Sequence, residues 1–447
     1  MAISGTKHSS IRPRRQPLRR WLLPNVLLVG VAFAAPLALA AAPQAPAVRT
    51  DTRVWREAFQ SSPAHYDPLA PEFIKLLVEK YKMPPAMIEQ MRPHMASGTQ
   101  RIRLAVTAGG PQIRIRVSNE EGTEPLVLTA ASVGLAGDGY GSKPGTLKAL
   151  AFSGRPNVTV PAGAPVLSDP VALPVTPGTE LIVSMYGAGS FKLDPLGGST
   201  IVVAAGDQTQ KNELTAGTEM HGRPAITGVE VLSPGSERVI ATLGDSITDG
   251  NRLTPAEMHS WPQELANRLA VRKGGGGYTV VNAGIGGNRI LGSGWGPSAL
   301  ARLDRDVLRI DGLSHLIVLE GTNDIGMSGH TVFGDNPVVT PEDLIAGYRQ
   351  IIARAHARGV QVLFGTIMPF GASMTHYSPG NERTRQAVNH WIRTSREPDG
   401  VIDFDQLARD PVKPLNMRAA FGSEDGLHPG AAGYKAMGDA IDLSLFR

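Results

Sequence analysis

The pattern of hydrophobic and polar positions changes near residue 236. Between about residues 100 and 235, apolar and polar residues alternate in short runs such as RIRLAVT and QIRIRVS, separated by turns rich in glycine and proline. A period of two is typical of strands with one buried face, and Gly109-Gly110-Pro111 between these two runs predicts a hairpin. Further short runs without intervening helices predict a β-sandwich of the jelly-roll type.

Helical spacing precedes these strands. The stretch PEFIKLLVEKYKMPPAMIEQM has apolar residues at helical intervals, in two short pieces divided by Pro84-Pro85. Residues 41–60 are rich in alanine and proline and predict a flexible linker. We therefore expect a β-rich, sandwich-like domain with short N-terminal helices over residues 61–235.

The pattern of apolar and polar residues is different from residue 236 to the end. Apolar strand candidates alternate there with amphipathic helical segments, which is typical of a parallel, doubly wound sheet with helices on both faces. The expected class of residues 236–447 is therefore α/β, with its ligand site outside the carboxyl ends of the strands. The strand candidates are RVIATLG, YTVVNAG, HLIVLEG, VQVLFGTIMP and GVIDFD, and the main helical segments begin at PAEMH, PSALA, PEDLI, RTRQA and PGAAG.

The positive charge of the chain is concentrated at its N-terminus. Of the 44 basic residues, six lie in residues 1–40 (Lys7, Arg12, Arg14, Arg15, Arg19 and Arg20), where no acidic residue occurs. Subtracting these six from 44 leaves 38 basic against 40 acidic residues, so the net charge of +4 becomes −2. The remaining chain therefore indicates no nucleic-acid partner.

Residues 1–40 have the layout of an export signal. A basic stretch precedes the apolar run WLLPNVLLVGVAFAAPLALA, which ends in the small residues of Ala38-Leu39-Ala40. A transmembrane anchor is the alternative, but Pro24 and Pro36 interrupt the run. The pair Arg19-Arg20 permits a twin-arginine route beside the general one. We expect a periplasmic or secreted protein without stable membrane insertion after signal removal, and we assign no oligomeric state.

Four short motifs in the second half carry the candidate chemistry. GDSITDG, NAGIGGN and EGTND each follow directly on a strand candidate, and DGLHPG precedes the last helical segment. Because the carboxyl ends of parallel strands meet at one edge of a sheet, the first three motifs should converge there.

Ser246 and His428 fit the roles of nucleophile and base. Ser246 follows a strand and precedes a helix, where a plain helix cap is the structural alternative. A serine nucleophile needs a base, and the base needs an orienting acid. Asp425 lies three residues before His428, so its carboxylate can reach one imidazole nitrogen while the other faces the cleft. Thr248 replaces the second glycine of the G-x-S-x-G elbow, which argues against a true α/β-hydrolase.

Gly287 and Asn323 are candidate donors to an oxyanion. A phosphate-binding glycine loop is the alternative for GIGGNR, but the GxGxxG spacing is absent. A glycosidase using the carboxyl groups of Asp245 and Asp425 and a metal site built from aspartates and His428 remain open on the residues alone. The absence of cysteine excludes disulfides and a thiol nucleophile.

These four motifs together resemble the SGNH hydrolases, also called the GDSL family, over roughly residues 236–447. The family carries Ser, Gly, Asn and His in four blocks on a flavodoxin-like fold, matching Ser246, Gly287, Asn323 and His428 here. The resemblance is closest to a bacterial branch of arylesterases or acylhydrolases that has a preceding β-rich domain, some of which is associated with xylan breakdown.

The resemblance implies a serine esterase without cofactor or metal. Ser246, His428 and Asp425 would form the catalytic triad, and Ser246, Gly287 and Asn323 the oxyanion hole. The expected substrates are carboxylic esters with acetyl or other short acyl groups, on small esters or acylated carbohydrates. The alternatives are a lipase or lysophospholipase for longer chains and a glycan-binding protein with a degenerate hydrolase domain.

Overall fold

The computed structural model describes residues 53–89, 91–250, 259–272, 277–333 and 337–446. The predicted export leader and the beginning of the predicted linker lie outside these described residues. Residues Thr52–Arg447 belong to one compact unit, which holds both the β-rich part and the α/β part. No helix among the described residues is long and apolar enough to cross a membrane.

The β-rich part contains two antiparallel sheets that share one apolar core. In the first sheet the order is β1-β11-β3-β7, with β8 also paired to β3. In the second it is β10-β9-β4-β5, with β2 paired to β9 and β6 to β4. The elements are β1 (Val54–Gln60), α1 (Pro71–Glu79), α2 (Pro85–Glu89), β2 (His94–Ala105), β3 (Gly110–Ser118), β4 (Leu126–Leu135), β5 (Lys148–Ala149), β6 (Val158–Val160), β7 (Pro165–Leu167), β8 (Val171–Val175), β9 (Glu180–Ala204), β10 (Thr218–Arg223) and β11 (Ile226–Ser233).

Two local expectations for this part are wrong. The runs RIRLAVT and QIRIRVS do not form a hairpin, because β2 pairs with β9 and β3 pairs with β11, β7 and β8. The alternation of apolar and polar residues indicates that one face of a strand is buried, but it does not determine which strand pairs with it. The predicted linker also ends earlier than expected, since residues Val54–Gln60 form β1 and pair with β11.

The α/β part is a parallel sheet in the order β13-β12-β14-β15-β16. Numbered from its own first strand, this is the order 2-1-3-4-5 of flavodoxin-like folds, whose switch point lies beside the first strand. The elements are β12 (Arg238–Gly244), α3 (Ser246–Asp249), α4 (Trp261–Ala270), β13 (Tyr278–Gly284), α5 (Ala299–Leu303) with a π-turn (Asp304–Leu308), β14 (Leu313–Leu319), α6 (Thr322–Gly326), α7 (Pro341–His356), β15 (Gln361–Gly365), α8 (Pro379–Thr394), β16 (Gly400–Ile402), α9 (Phe404–Ala408), α10 (Ala431–Ala440) and a 3₁₀ turn (Leu443–Leu445).

Both faces of the parallel sheet are covered by helices. Val239, Ala241 and Leu243 of β12 face a core shared with α5, α7 and α8. Ile240 faces the opposite core, shared with α4, α9 and α10. This two-sided burial explains why the strands are continuous apolar runs rather than alternating ones.

The β-rich part covers β13, which is an edge strand of the parallel sheet. The Thr107 hydroxyl lies 2.6 Å from the Thr279 hydroxyl and 2.8 Å from the carbonyl oxygen of Val280, to which it donates. An edge strand has unpaired backbone groups, and covering it removes a site for unwanted strand pairing. The contact also fixes the β-rich part beside the switch point of the sheet.

Candidate active site

Ser246 is the first residue of the short helix α3, directly after β12. Asp245 caps this helix, and its carboxylate accepts a hydrogen bond of 2.9 Å from the backbone N–H of Ile247. The helix ends at Gly250, whose φ of 96° is the left-handed conformation that glycine adopts at little cost. The serine is therefore held on a tight turn at the carboxyl end of the strand, with its side chain 6% exposed.

His428 connects Ser246 to Asp425. The Ser246 Oγ lies 2.7 Å from His428 Nε2, and His428 Nδ1 lies 2.7 Å from Asp425 Oδ2. The serine and the histidine are 182 residues apart in sequence and meet because the turn before α10 reaches the end of β12. With Nδ1–H donating to the carboxylate, Nε2 is free to accept the serine proton.

The Asp425 carboxylate is held in its ionised form. Burial raises its pKa, but the hydrogen bond and charge of His428 and the backbone N–H groups of His428 and Leu427 outweigh this effect. The net result is a pKa well below the usual range for an aspartate. Asp425 Oδ1 also accepts from the Ser423 hydroxyl at 2.8 Å, so both oxygens are fixed. The acid is thus a rigid, charged orienting group for the imidazole.

Gly287 lies in the loop after β13 and has a φ of 75°. A Cβ at this position would lie 2.2 Å from the ring atom Cε3 of Trp295, so a side chain is excluded by both conformation and packing. The neighbouring Gly286 gives its N–H to the carboxylate of Asp249. The N–H of Gly287 has no acceptor among the described residues, which suits a donor to substrate.

Asn323 is tied to the loop that holds Gly287. Its Nδ2 donates to the carbonyl oxygen of Asn288 at 3.0 Å, while its Oδ1 lies 3.2 Å from His376 Nε2. One N–H of the amide is used by Asn288 and the other remains available. Asp324 strengthens the same link, because its carboxylate accepts the N–H groups of Ile290 and Leu291 at 2.8 and 3.0 Å.

His376 is a buried residue that the sequence analysis did not single out. It lies in the loop after β15, at the carboxyl edge of the sheet, and its Nδ1 is 2.9 Å from the Thr375 hydroxyl. Burial, followed by the nearby charge of His428, lowers the pKa of His376 to about 4, so the ring is neutral at neutral pH. A neutral ring with Nε2–H directed at Asn323 fixes which side of that amide carries the donor. Its position after a strand candidate was the one feature of the sequence that could have indicated a place near the site.

Arg302 joins the strand ends beneath the site and was also missed. Its side chain is fully buried and donates to the carbonyl oxygens of Gly244 and Ala283, at 3.1 and 2.5 Å, and to Asn288 Oδ1 at 2.9 Å. Gly244 is the last residue of β12, Ala283 is the last but one of β13, and Asn288 belongs to the loop of Gly287. Arg302 therefore fixes the spacing between the turn of Ser246 and the loop of Gly287.

A group of buried carboxyl groups lies near Ser246. Burial raises the pKa of Asp245 to about 6, and burial together with the charge of Asp245 raises the pKa of Glu320 well above its usual value. Burial likewise raises the pKa of Asp324. Asp245 caps a helix and Asp324 braces a loop, so their hydrogen bonds place them in support of the site.

The predicted residues thus meet at one edge of the sheet. Ser246, His428 and Asp425 form a continuous hydrogen-bonded series, and Asn323 lies against the loop of Gly287. A serine with a base, an oriented acid and fixed N–H donors is the arrangement needed for acyl transfer. Across the described parts of the chain, no group of three or more His, Asp or Glu side chains is arranged to hold a metal ion.

Comparisons with known proteins agree with this location. Residues 242–436 match the model of the GDSL-like Lipase/Acylhydrolase family. A comparison with curated proteins returned no match. The matched residues begin in β12 and extend into α10, and they include Ser246, Gly287, Asn323, Asp425 and His428.

Several solved structures resemble a part of this chain. A GDSL-like lipase from Bacteroides thetaiotaomicron VPI-5482 is 17% identical, with coverage of 46% of this chain and 87% of its own and a TM-score of 0.35. The acetyl xylan esterase AlAXEase is 20% identical, with coverage of 45% and 96% and a TM-score of 0.34. A variant of Axe2, an acetyl-xylooligosaccharide esterase from Geobacillus Stearmophilus, is 21% identical, with coverage of 45% and 91% and a TM-score of 0.36. Each likeness concerns less than half of this chain.

Proposed function

We propose that this chain, whose residues 242–436 form a GDSL-like lipase/acylhydrolase domain, is an exported serine esterase acting on short-chain esters. The family match identifies the domain as a carboxylic ester hydrolase. The observation that carries the proposed mechanism is the series Ser246–His428–Asp425, with both hydrogen bonds at 2.7 Å.

Acylation begins with the attack of Ser246 Oγ on the ester carbonyl carbon. His428 Nε2 takes the serine proton, and the carbonyl oxygen becomes an oxyanion. The N–H groups of Ser246 and Gly287 and the side-chain amide of Asn323 donate to that oxyanion. The bond between the carbonyl carbon and the alcohol oxygen then breaks, and His428 gives its proton to the leaving alcohol. An acyl group on Ser246 remains.

Deacylation repeats these steps with water. His428 removes a proton from a water molecule as its oxygen attacks the acyl carbon, and the second oxyanion uses the same donors. Its collapse releases the carboxylic acid and returns the proton to Ser246. Asp425 stays ionised throughout, because its pKa is held low, and it stabilises the imidazolium formed in each half of the reaction.

The packing beside Gly287 supports a small acyl group. Trp295 lies against this glycine and meets the Phe333 ring edge-to-face, with 5.1 Å between the ring centroids. Tyr66 of the β-rich part forms a bridge to the backbone of Trp295, which holds the indole in place. From this aromatic wall beside the Gly287 loop we infer that the acyl group is short, such as acetyl. The alcohol side is proposed to be a carbohydrate or an aryl group.

The decisive experiment measures hydrolysis of p-nitrophenyl esters from acetyl to octanoyl. We expect activity to be highest with the shortest chains and to fall by roughly 10⁴-fold or more in Ser246→Ala and in His428→Ala. Ser444→Ala, an exposed serine, is the matched control and should keep full activity. Unchanged turnover in Ser246→Ala would refute the proposal, and a preference for octanoyl esters would favour the lipase or lysophospholipase alternative.

Export and domain arrangement complete the proposal. We propose that residues 1–40 direct the chain to the periplasm or the exterior, followed by a β-rich domain of jelly-roll type and a catalytic domain from residue 236. The basic and apolar succession in the leader supports the first point. Fractionation of a bacterial host should find the full chain outside the cytoplasm and a chain lacking residues 2–40 inside it.

A further inference from the structure

A cavity of about 380 Å³ lies between the two sheets of the β-rich part. One wall comes from β2, β4 and β9 of the second sheet, and the other from the ends of β3 and β11 of the first. The loop 119–125 borders it. None of the residues placed above in the triad or the oxyanion hole lines this cavity, which includes Gln100, Thr227, Arg223, Met185, Phe191 and Leu126 in its wall.

Gln100 is the unusual residue of this cavity. It lies in β2 at the same side of the strand as Ile102 and Leu104, which belong to the apolar core, and it is 1% exposed. Among the described residues, neither its Oε1 nor its Nε2 has a hydrogen-bond partner. An unsatisfied buried amide costs free energy that a leucine would not cost at this position. The fold alone therefore gives no reason for a glutamine.

A second polar group faces the same space from the other sheet. Thr227 of β11 is 3% exposed, and its hydroxyl likewise has no partner among the described residues. The Nε of Arg223 also has no hydrogen-bond partner among the described residues. Met185 and Phe191 add apolar surface between these groups. A few convergent polar groups beside apolar surface in a cavity of this size are typical of a small-ligand site.

The charged groups around the cavity favour a neutral ligand. Glu121 pairs with Arg305 at 2.5 Å, and Arg223 pairs with the carboxylate of Asp249 at 2.6 Å. Glu120 accepts from the Ser118 hydroxyl at 2.8 Å. Glu121 and Arg223 are therefore engaged in ion pairs. Glu120, Glu124 and Lys192 also line the cavity and bring charges of both signs, so the wall does not select an anion or a cation. Hydroxyl groups, in contrast, match an amide and a threonine hydroxyl that have no partner among the described residues.

We propose that this cavity binds one unit of a neutral saccharide. The amide of Gln100 can accept from one hydroxyl and donate to its neighbour, while the Thr227 hydroxyl contacts a third from the opposite sheet. The Phe191 ring and Met185 pack against the C–H groups of the sugar. The choice of a saccharide rests on the proposed function. An esterase for acylated carbohydrates raises the local concentration of its substrate when a second site binds the same polysaccharide molecule.

The test is calorimetric binding to the full chain carrying Ser246→Ala, so that no ester is turned over. The probes are xylohexaose, cellohexaose and maltohexaose, none of which carries an ester. We expect saturable binding of at least one of them and a loss of affinity of at least 10-fold when Gln100→Leu is added. Gln361→Leu, an exposed glutamine on β15, is the matched control and should bind normally.

Stability separates a binding role from a structural one. Replacement of an unpartnered amide by leucine should leave the melting temperature of Gln100→Leu equal or higher, although binding is lost. If Gln100→Leu does not fold, Thr227→Val, which keeps the side-chain shape, must produce the same loss of affinity. Absence of binding to all three probes, or equal affinity in the variants, overturns the proposal. Because binding is read without catalysis, failure here leaves the ester-hydrolysis assay as an independent result.

Discussion

The parallel-sheet part and the β-rich part place buried polar side chains by two different means. In the first, strands that run in the same direction bring Ser246, Gly287 and Asn323 to one edge, each on the turn that follows its strand. In the second, Gln100 and Thr227 come from the interior faces of two opposed sheets. Parallel strands bring the polar groups of one part to a sheet edge, whereas the polar groups of the other part lie between two sheets.

This difference affects what a single substitution should do. Residues at the sheet edge are linked by hydrogen bonds, so a change in one should reach the reaction through its neighbours. Residues in the sandwich interior act on a separate cavity. The following substitutions all lie in the parallel-sheet part, and each should alter catalysis or stability while leaving saccharide binding in the β-rich part intact.

The largest effect is expected for Asp425→Asn. An amide at this position favours the wrong imidazole tautomer of His428, because it can donate where the carboxylate accepts, and turnover should fall by roughly 10⁴-fold at neutral pH. The measurement is kcat/KM for p-nitrophenyl acetate. Asp399→Asn is the matched control, since Asp399 also pairs with a histidine, His356, at 2.8 Å on the exposed surface. Similar losses in both variants would contradict the orienting role.

A smaller effect is expected for Gly287→Ala. The added Cβ would contact the Trp295 ring and strain a φ of 75°, so the loop must move and its N–H leaves the oxyanion. Loss of one such donor costs roughly 10²–10³-fold in kcat. Gly359→Ala is the control, because Gly359 has a φ of 72° with no atom within 4 Å of a new Cβ. If both variants lose only stability, Gly287 is not a donor.

His376→Ala should lower kcat by about 10–100-fold with little change in KM, since its effect passes through the orientation of Asn323. His376→Gln should recover much of that loss, because the glutamine amide can place an N–H near the position of Nε2. A purely structural role would lower the melting temperature without this recovery. His356→Ala, at an exposed histidine, should leave both kinetic constants unchanged.

The smallest effect concerns stability and pH at Asp245. Its pKa rises from 3.8 in the unfolded chain to about 6 in the folded protein, so its contribution to stability is lost as the pH rises through 6. Asp245→Asn keeps a good helix cap and removes this titration. Its gain in unfolding free energy over the wild type should be about 1 kcal/mol greater at pH 8 than at pH 5. Chemical denaturation at pH 5 and at pH 8 measures this difference. An equal gain at both pH values would contradict a raised pKa of Asp245 in the folded protein.

The β-α-β order of the second half was predictable because its signals are local. Most of the strands are continuous apolar runs, and each main helix has its own periodicity, so β12 to β16 and the main helices occur in the order that the sequence indicates. The candidates VQVLFGTIMP and GVIDFD are longer than β15 and β16, and the end of the second forms the start of α9. The short helices α6 and α9 were not predicted, since five residues carry no period, and of α3 only the start of a helix after Ser246 was expected. The hairpin expected between β2 and β3 failed for a related reason, because pairing partners are chosen across the core.

The residue types of the site and the strand ends on which they lie follow from the amino-acid sequence. The motif order from Ser246 to His428 and the α/β rhythm are properties of short stretches. The groups that support them, His376 against Asn323 and Arg302 across two strand ends, emerge from the folded chain. The same is true of Gln100 in the wall of a separate cavity. These arrangements depend on contacts between residues that are far apart in the chain. The chemistry of a polar side chain there depends on whether it is buried and whether it has a hydrogen-bond partner.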